Sequence, residues 1–194
     1  MVTTVKTDVK KISPDEYRKQ EELSEIRHEY RDGVIVPMTG GSANHSRIIT
    51  DLCNLLLNAL GVDECEIFNS DLRVWIPDYN RGTYPDVMVV KGDLDFNGNR
   101  PDEVLNPSLM VEVLSPSTEN YDRGTKFYLY RSIPSFCEYL LIDQSRPCID
   151  NYWKYDNDEW RLKEIQGLDK TVDLKHVPVK SSLSEIYRRV NFED

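Results

Sequence analysis

No apolar run in the sequence approaches the roughly 20 residues that a bilayer-spanning helix needs, which argues against a membrane protein with helical spans. The start, Met1-Val2-Thr3-Thr4-Val5-Lys6, lacks the apolar core of a signal peptide, so the expected compartment is the cytoplasm. Cysteine is scarce. Cys53, Cys65, Cys137 and Cys148 form no Cys-x-x-Cys pair, which speaks against a zinc site; in a reducing compartment they read as free core thiols. No internal repeat or low-complexity segment interrupts the chain. Positive charge is also in short supply: 24 Lys and Arg face 34 Asp and Glu, for a net charge of −10. The basic footprint of broad, non-specific nucleic-acid binding is therefore missing. The acidic excess is local, since residues 51–150 carry seventeen acidic and eight basic groups while residues 1–50 are balanced.

What is present fits a soluble globular protein. Of 194 residues, 39% are hydrophobic and 30% charged, enough for a sizeable core in one domain. That domain is expected to span 1–194, with a core over about 12–145 and a β-rich extension over about 146–194. Ser13-Pro14-Asp15-Glu16 is a capping-box helix start, and the helix should run to about Leu23. Arg31-Asp32-Gly33 between two apolar runs predicts a β-hairpin. Ile48, Ile49, Leu52, Leu55, Leu56, Ala59 and Leu60 recur at helical spacing, predicting an amphipathic helix from about Ala43 to Leu60. Glu66 to Ile76 reads as one strand, bulged at Asn69-Ser70, with the strand from Tyr84 as its antiparallel neighbour. Residues 91–108 read as a polar loop with a short helix near Pro101–Val104. A strand at 109–114, a helix at about 121–132, a strand at 136–143 and two aromatic strands at about 149–155 and 160–165 follow. A short strand near Val172 and a helix over 183–190 close the chain. The class is α/β: a mixed sheet flanked by helices.

One stretch, Tyr84 to Lys126, carries the chemistry. Its two strands each hold one carboxylate, Asp86 after Pro85 and Glu112 inside Leu109-Met110-Val111-Glu112-Val113-Leu114. A charge in an apolar strand is costly unless it is paired or binds a metal, and two neighbouring carboxylates repel. A divalent cation between them removes both costs, and hard oxygen ligands suit Mg²⁺ or Mn²⁺. The plainer alternatives are an Asp capping a turn and a strand Glu paired with an Arg. For Lys126 the plain alternative is an exposed i,i+4 pair with Asp122, worth a few tenths of a kcal/mol. For His45, one helical turn before Ile49, it is a core-edge histidine bonded to a carbonyl; the alternative is a role in a nearby cleft.

These residues resemble the PD-(D/E)XK nuclease superfamily, and within it the large bacterial "putative restriction endonuclease" family, a domain of unknown function. The resemblance rests on His28-Glu29-Tyr30-Arg31-Asp32-Gly33, His45, Pro85-Asp86-Val87, Glu112-Val113-Leu114-Ser115-Pro116-Ser117-Thr118, Asp122 and Lys126, Tyr130, and Glu138-Tyr139 to Asp143. It covers about residues 12–190. The chain departs from the superfamily at Leu114, where the lysine of Glu-x-Lys usually stands. In the family that lysine is replaced from the following helix, which makes Lys126 the substitute. Leu140 stands where a Trp is frequent.

The resemblance implies a restriction-endonuclease-like fold and metal-dependent hydrolysis of DNA phosphodiester bonds. Asp86 and Glu112 would be metal ligands, with the carbonyl of Val113 as the third. Lys126 would orient the attacking water and neutralise the scissile phosphate. Glu29 would complete the acidic cluster, and His45 would be a supporting partner or phosphate contact. The implied cofactor is Mg²⁺ or Mn²⁺ and the implied partner is DNA, with no membrane; a homodimer is compatible with the sequence. The competing functions are a fold-retaining module that holds DNA or a protein without cleaving it, and a hydrolase using the same site on another substrate.

Overall fold

The computed structural model describes residues 11–61, 64–156 and 159–192. Helix α1 (Pro14–Leu23) begins as its sequence predicts: Ser13 Oγ accepts from Glu16 N–H, and the Glu16 carboxylate accepts from Ser13 N–H. Strands β1 (His28–Arg31) and β2 (Val34–Pro37) form the predicted hairpin. Asp32 and Gly33 both have positive φ at its turn, the backbone that a tight hairpin requires. Helix α2 (Ala43–Ala59) follows, capped by Ser42.

Next come β3 (Cys65–Asn69), β4 (Arg73–Ile76), β5 (Arg81–Thr83), β6 (Val87–Lys91), β7 (Phe96–Asn97), β8 (Arg100–Val104) and β9 (Pro107–Leu114). A π-helical turn (Tyr121–Lys126) leads into the short α3 (Phe127–Tyr130). Strands β10 (Glu138–Asp143), β11 (Cys148–Asp156), β12 (Glu159–Gln166), β13 (Thr171–Asp173) and β14 (Lys180–Ser182), then α4 (Leu183–Ile186), complete the described chain.

The strands form two six-stranded mixed sheets and one pair. The central sheet runs β12-β11-β10-β9-β6-β3, the flanking sheet β2-β1-β5-β4-β8-β7, and β13 pairs with β14. Every residue of β9 is buried, as expected of a strand covered on both faces. Leu109, Val111 and Val113 face the core shared with α2 and α4, whereas Met110 and Leu114 pack with Leu129, Tyr130 and Tyr139 on the other face. Period-two alternation therefore puts Glu112 on the face covered by α3. The tail strands β11 and β12 extend the central sheet beyond β10. Glu138, fully buried on β10, accepts backbone N–H bonds from Lys175 and His176, fastening the tail to the sheet.

Several predicted elements are corrected. Residues 66–76 form two strands in different sheets, because Asn69-Ser70-Asp71 makes a turn rather than a bulge; Asn69 Oδ1 accepts from Asp71 N–H. The antiparallel neighbour of β3 begins at Val87, and Tyr84-Pro85-Asp86 is the link between sheets. Residues 100–104 are a strand and not a helix. Glu103 pairs in register with Arg73 on β4, and Arg18 and Arg73 both bond its carboxylate. The helix predicted at 121–132 opens as a π-helical turn containing Gly124 and Thr125, both weak helix formers. The last helix ends at Ile186, short of Val190. Among the described residues no helix is long and apolar enough to cross a membrane.

Candidate functional site

A cleft of about 850 Å³ opens where the chain passes from the flanking to the central sheet. Its walls include the loop before α2, the first turn of α2, the end of β9, the Ser115–Thr118 turn and the π-helical turn. Gln144 ties two of these walls together: it accepts from Ser42 Oγ and donates to the Leu114 carbonyl at 2.7 Å.

Asp86 reaches the cleft through strand register. The β6–β9 ladder ends at Val87 opposite Val111, so one further step sets Asp86 against Glu112. Asp86 Oδ2 accepts the Val113 N–H at 2.7 Å. In an extended strand the N–H and C=O of one residue point to the same edge, so the Val113 carbonyl faces the edge where β6 has ended. His45, on the first turn of α2, brings Nε2 to 3.2 Å from the same Asp86 oxygen. Burial opposes charge on His45, but the hydrogen bond and charge of Asp86 outweigh it and raise the imidazole toward its protonated form. Gly41 makes room for the ring, since a Cβ there would lie 2.6 Å from His45 Nδ1.

Glu112 is 3% exposed and fully engaged. Tyr130 Oη donates to Oε1 at 2.8 Å, and Lys126 Nζ lies 2.9 Å from Oε2. Burial raises the Glu112 carboxyl well above the ordinary range; Lys126 pulls against this, while Asp122 and Asp86 add to it.

Lys126 is 7% exposed and lies among three carboxylates. Its Nζ stands 2.9 Å from Glu112, 3.3 Å from Asp122 and 3.7 Å from Glu29. Burial disfavours the ammonium, but these three partners together hold it protonated, well above the ordinary lysine value. The i,i+4 pair with Asp122 exists, yet both members are buried rather than exposed. Leu114, the usual lysine position, packs in the apolar cluster with Met110 and Tyr139.

Glu29 comes from β1 and lines the same cleft. Thr83 donates to Oε1 at 2.5 Å and Arg31 to Oε2 at 2.6 Å. Burial would raise this carboxyl, but Lys126, Thr83 and Arg31 outweigh it, so Glu29 titrates below its ordinary value.

The five side chains singled out from sequence, Glu29, Asp86, Glu112, Lys126 and His45, thus line one cleft with Val113. The sequence reading gave Tyr130 and Asp122 no role beyond their place in the resemblance, and it missed Thr83 and Tyr121, whose ring lies 4.0 Å from the Arg31 guanidinium. Asp122 was detectable from its spacing to Lys126, but an i,i+4 pair suggests a solvated helix face. Thr83 and Tyr121 carried no such signal.

The donor set suits a hard divalent cation: carboxylate and carbonyl oxygens with no thiolate among them. Among the described residues, the only three ligand-type side chains with donor atoms within 4.8 Å of one another are Cys148, Asp150 and Glu164, none of which lines the cleft. Asp150 there is paired with Arg123. No three ligand-type side chains of the cleft bring donor atoms that close together among the described residues.

Comparison with known proteins gives a consistent picture. Residues 14–184 match the Uma2 family, described as "putative restriction endonuclease". The chain is 42% identical over 182 residues to slr1290, an uncharacterized protein of Synechocystis sp., covering 94% of each. It is 38% identical over 168 residues to sll1609 of the same organism, covering 87% of this chain and 95% of the relative. The fold is similar to a crystal structure from Anabaena variabilis described as a "putative nuclease belonging to DUF820", with a TM-score of 0.73 and 18% identity over 91% of this chain and 98% of that one.

Proposed function

Since the chain belongs to the Uma2 family of nuclease-like proteins, we propose that it is a cytoplasmic, divalent-metal-dependent endonuclease that hydrolyses DNA phosphodiester bonds. The observation that carries this reading is the buried Lys126 ammonium, within 3.7 Å of Glu112, Asp122 and Glu29 in a cleft that also holds Asp86 and His45. A buried cation kept charged beside acidic groups is costly as scaffolding and useful as a fixed charge aimed at a phosphate.

Asp86 and Glu112, with the Val113 carbonyl, are the residues suited to hold Mg²⁺ or Mn²⁺. Such an ion, when bound, lowers the pKa of water and offsets phosphate charge. The chain's own groups do the rest. Asp86 is oriented by the Val113 N–H and by His45, which both engage Oδ2. Tyr130 fixes the Glu112 carboxylate against rotation. Lys126, held by its three partners, supplies positive charge that needs no reorganisation when a phosphate enters. Glu29, kept ionised by Arg31 and Thr83, maintains the protonated state of Lys126. His45, raised toward imidazolium, offers a second positive contact for a backbone phosphate.

The test is cleavage of supercoiled plasmid, linear duplex and RNA by the purified protein with Mg²⁺, Mn²⁺ or EDTA. The reading predicts nicking of plasmid that requires the cation. Cation-independent binding without any nicking would support the non-cleaving module instead.

A further inference from the structure

Asp122 is 2% exposed, and its Oδ1 accepts no hydrogen bond among the described residues. Lys126 Nζ is ion-paired with that oxygen at 3.3 Å, a longer contact than the 2.9 Å it makes with Glu112. A buried carboxylate oxygen that accepts no hydrogen bond and shares one ammonium with two other carboxylates has capacity left for a cation.

The other oxygens of the cleft narrow the choice. Both Glu29 oxygens are taken, by Thr83 and Arg31. Glu112 Oε1 accepts from Tyr130 Oη, and Oε2 is ion-paired with Lys126. Asp86 Oδ2 is taken by the Val113 N–H. Among the carboxylate oxygens lining the cleft, Asp122 Oδ1 is the one that is fully buried and accepts no hydrogen bond among the described residues. Four carboxyl groups line the cleft, Glu29, Asp86, Glu112 and Asp122, against two permanent cations, Arg31 and Lys126. Asp122 also sits on a π-helical turn, a distortion frequent at functional sites.

We propose that Asp122 is a further ligand of the divalent cation in this cleft, contributing Oδ1 alongside Asp86. The inference rests on the metal-dependent reading above and gives Asp122 a ligand role that the sequence reading did not assign. The rival is that Asp122 only positions Lys126. In that case its loss would alter cleavage but leave ion binding as it was.

The experiment is calorimetric titration of the full chain with MnCl₂, without DNA, for wild type, Asp122→Asn and Asp86→Asn. Asn preserves the shape and one acceptor while removing the charge. The proposal predicts Mn²⁺ binding by wild type and an affinity lower by at least about tenfold in Asp122→Asn. Wild-type affinity in Asp122→Asn, with binding lost in Asp86→Asn, overturns the role of Asp122 and leaves the metal-dependent reading standing. No Mn²⁺ binding by wild type overturns both. Should Asp122→Asn fail to fold, Mn anomalous scattering from wild-type crystals decides. The proposal requires a cation with an Asp122 oxygen at roughly 2.0–2.3 Å, and a cation placed away from Asp122 overturns it.

Discussion

Lys126 and Glu112 form a buried ion pair, 2.9 Å between Nζ and Oε2, joining the π-helical turn to the middle of the central sheet. Neither group reaches bulk water to any extent. The pair therefore belongs to the class in which removing one partner is expensive, because the other is left as an uncompensated buried charge.

Lys126→Met tests this directly. An exposed pair with Asp122 would cost a few tenths of a kcal/mol on substitution. The buried arrangement predicts a loss of about 3 kcal/mol near pH 8, read by urea denaturation. Cleavage should fall by about 10²–10³-fold, the size expected for removing one preorganised charge. Unchanged stability and unchanged cleavage would take Lys126 out of the site.

The Glu112 carboxyl gives a pH signature. Its folded value lies above its unfolded value, mainly through burial. As pH falls through the folded value, the native state takes up a proton that the unfolded chain does not, so this group's contribution raises stability on acidification. The gain is complete once pH reaches the ordinary glutamate value of about 4.3. Glu29, held below its ordinary value, works the other way: its contribution is present above about 4.3 and is lost as pH falls further. In metal-free protein, Glu112→Gln should therefore become more stable relative to wild type as pH rises from 5 to 8. A stability difference that is flat across that window would contradict the assignment.

His45 and Gly41 make a paired prediction. His45→Ala removes the partner of Asp86 and should lower cleavage by about 10–100-fold, with little loss of stability. Gly41→Ala keeps the ring, but its Cβ would fall 2.6 Å from Nδ1 and push the imidazole away from Asp86. The two variants should show similar activity losses and near-normal melting. Wild-type cleavage by Gly41→Ala would mean that the His45–Asp86 contact does not matter.

Local chemistry made much of this protein legible. Ser13 and Glu16 announce α1, Asp32-Gly33 announces the hairpin, and the Ile48 to Leu60 periodicity announces α2. In each case the cause lies within a few residues. Where the cause is distant, the sequence misleads. Pro101-Asp102-Glu103 has the residues of a helix start, yet Arg73, thirty positions earlier, draws Glu103 into a parallel ladder. Asp122 and Lys126 have the spacing of a solvated pair, yet carboxylates from β1 and β9 converge on the lysine and bury it. Asp86 and Glu112 suggested a site because charge inside apolar strands is costly. Their juxtaposition depends on the β6–β9 register, which the sequence alone does not state.

The most direct measurement is plasmid nicking by wild type and Asp86→Asn side by side, in Mg²⁺, Mn²⁺ and EDTA, with melting temperature recorded in each. Asn can still accept the Val113 N–H, so the fold should persist in metal-free protein. The account predicts cation-dependent nicking and a cation-dependent rise in melting temperature for wild type, both lost in Asp86→Asn. Equal nicking by the two proteins, or wild-type nicking that survives EDTA, would contradict it.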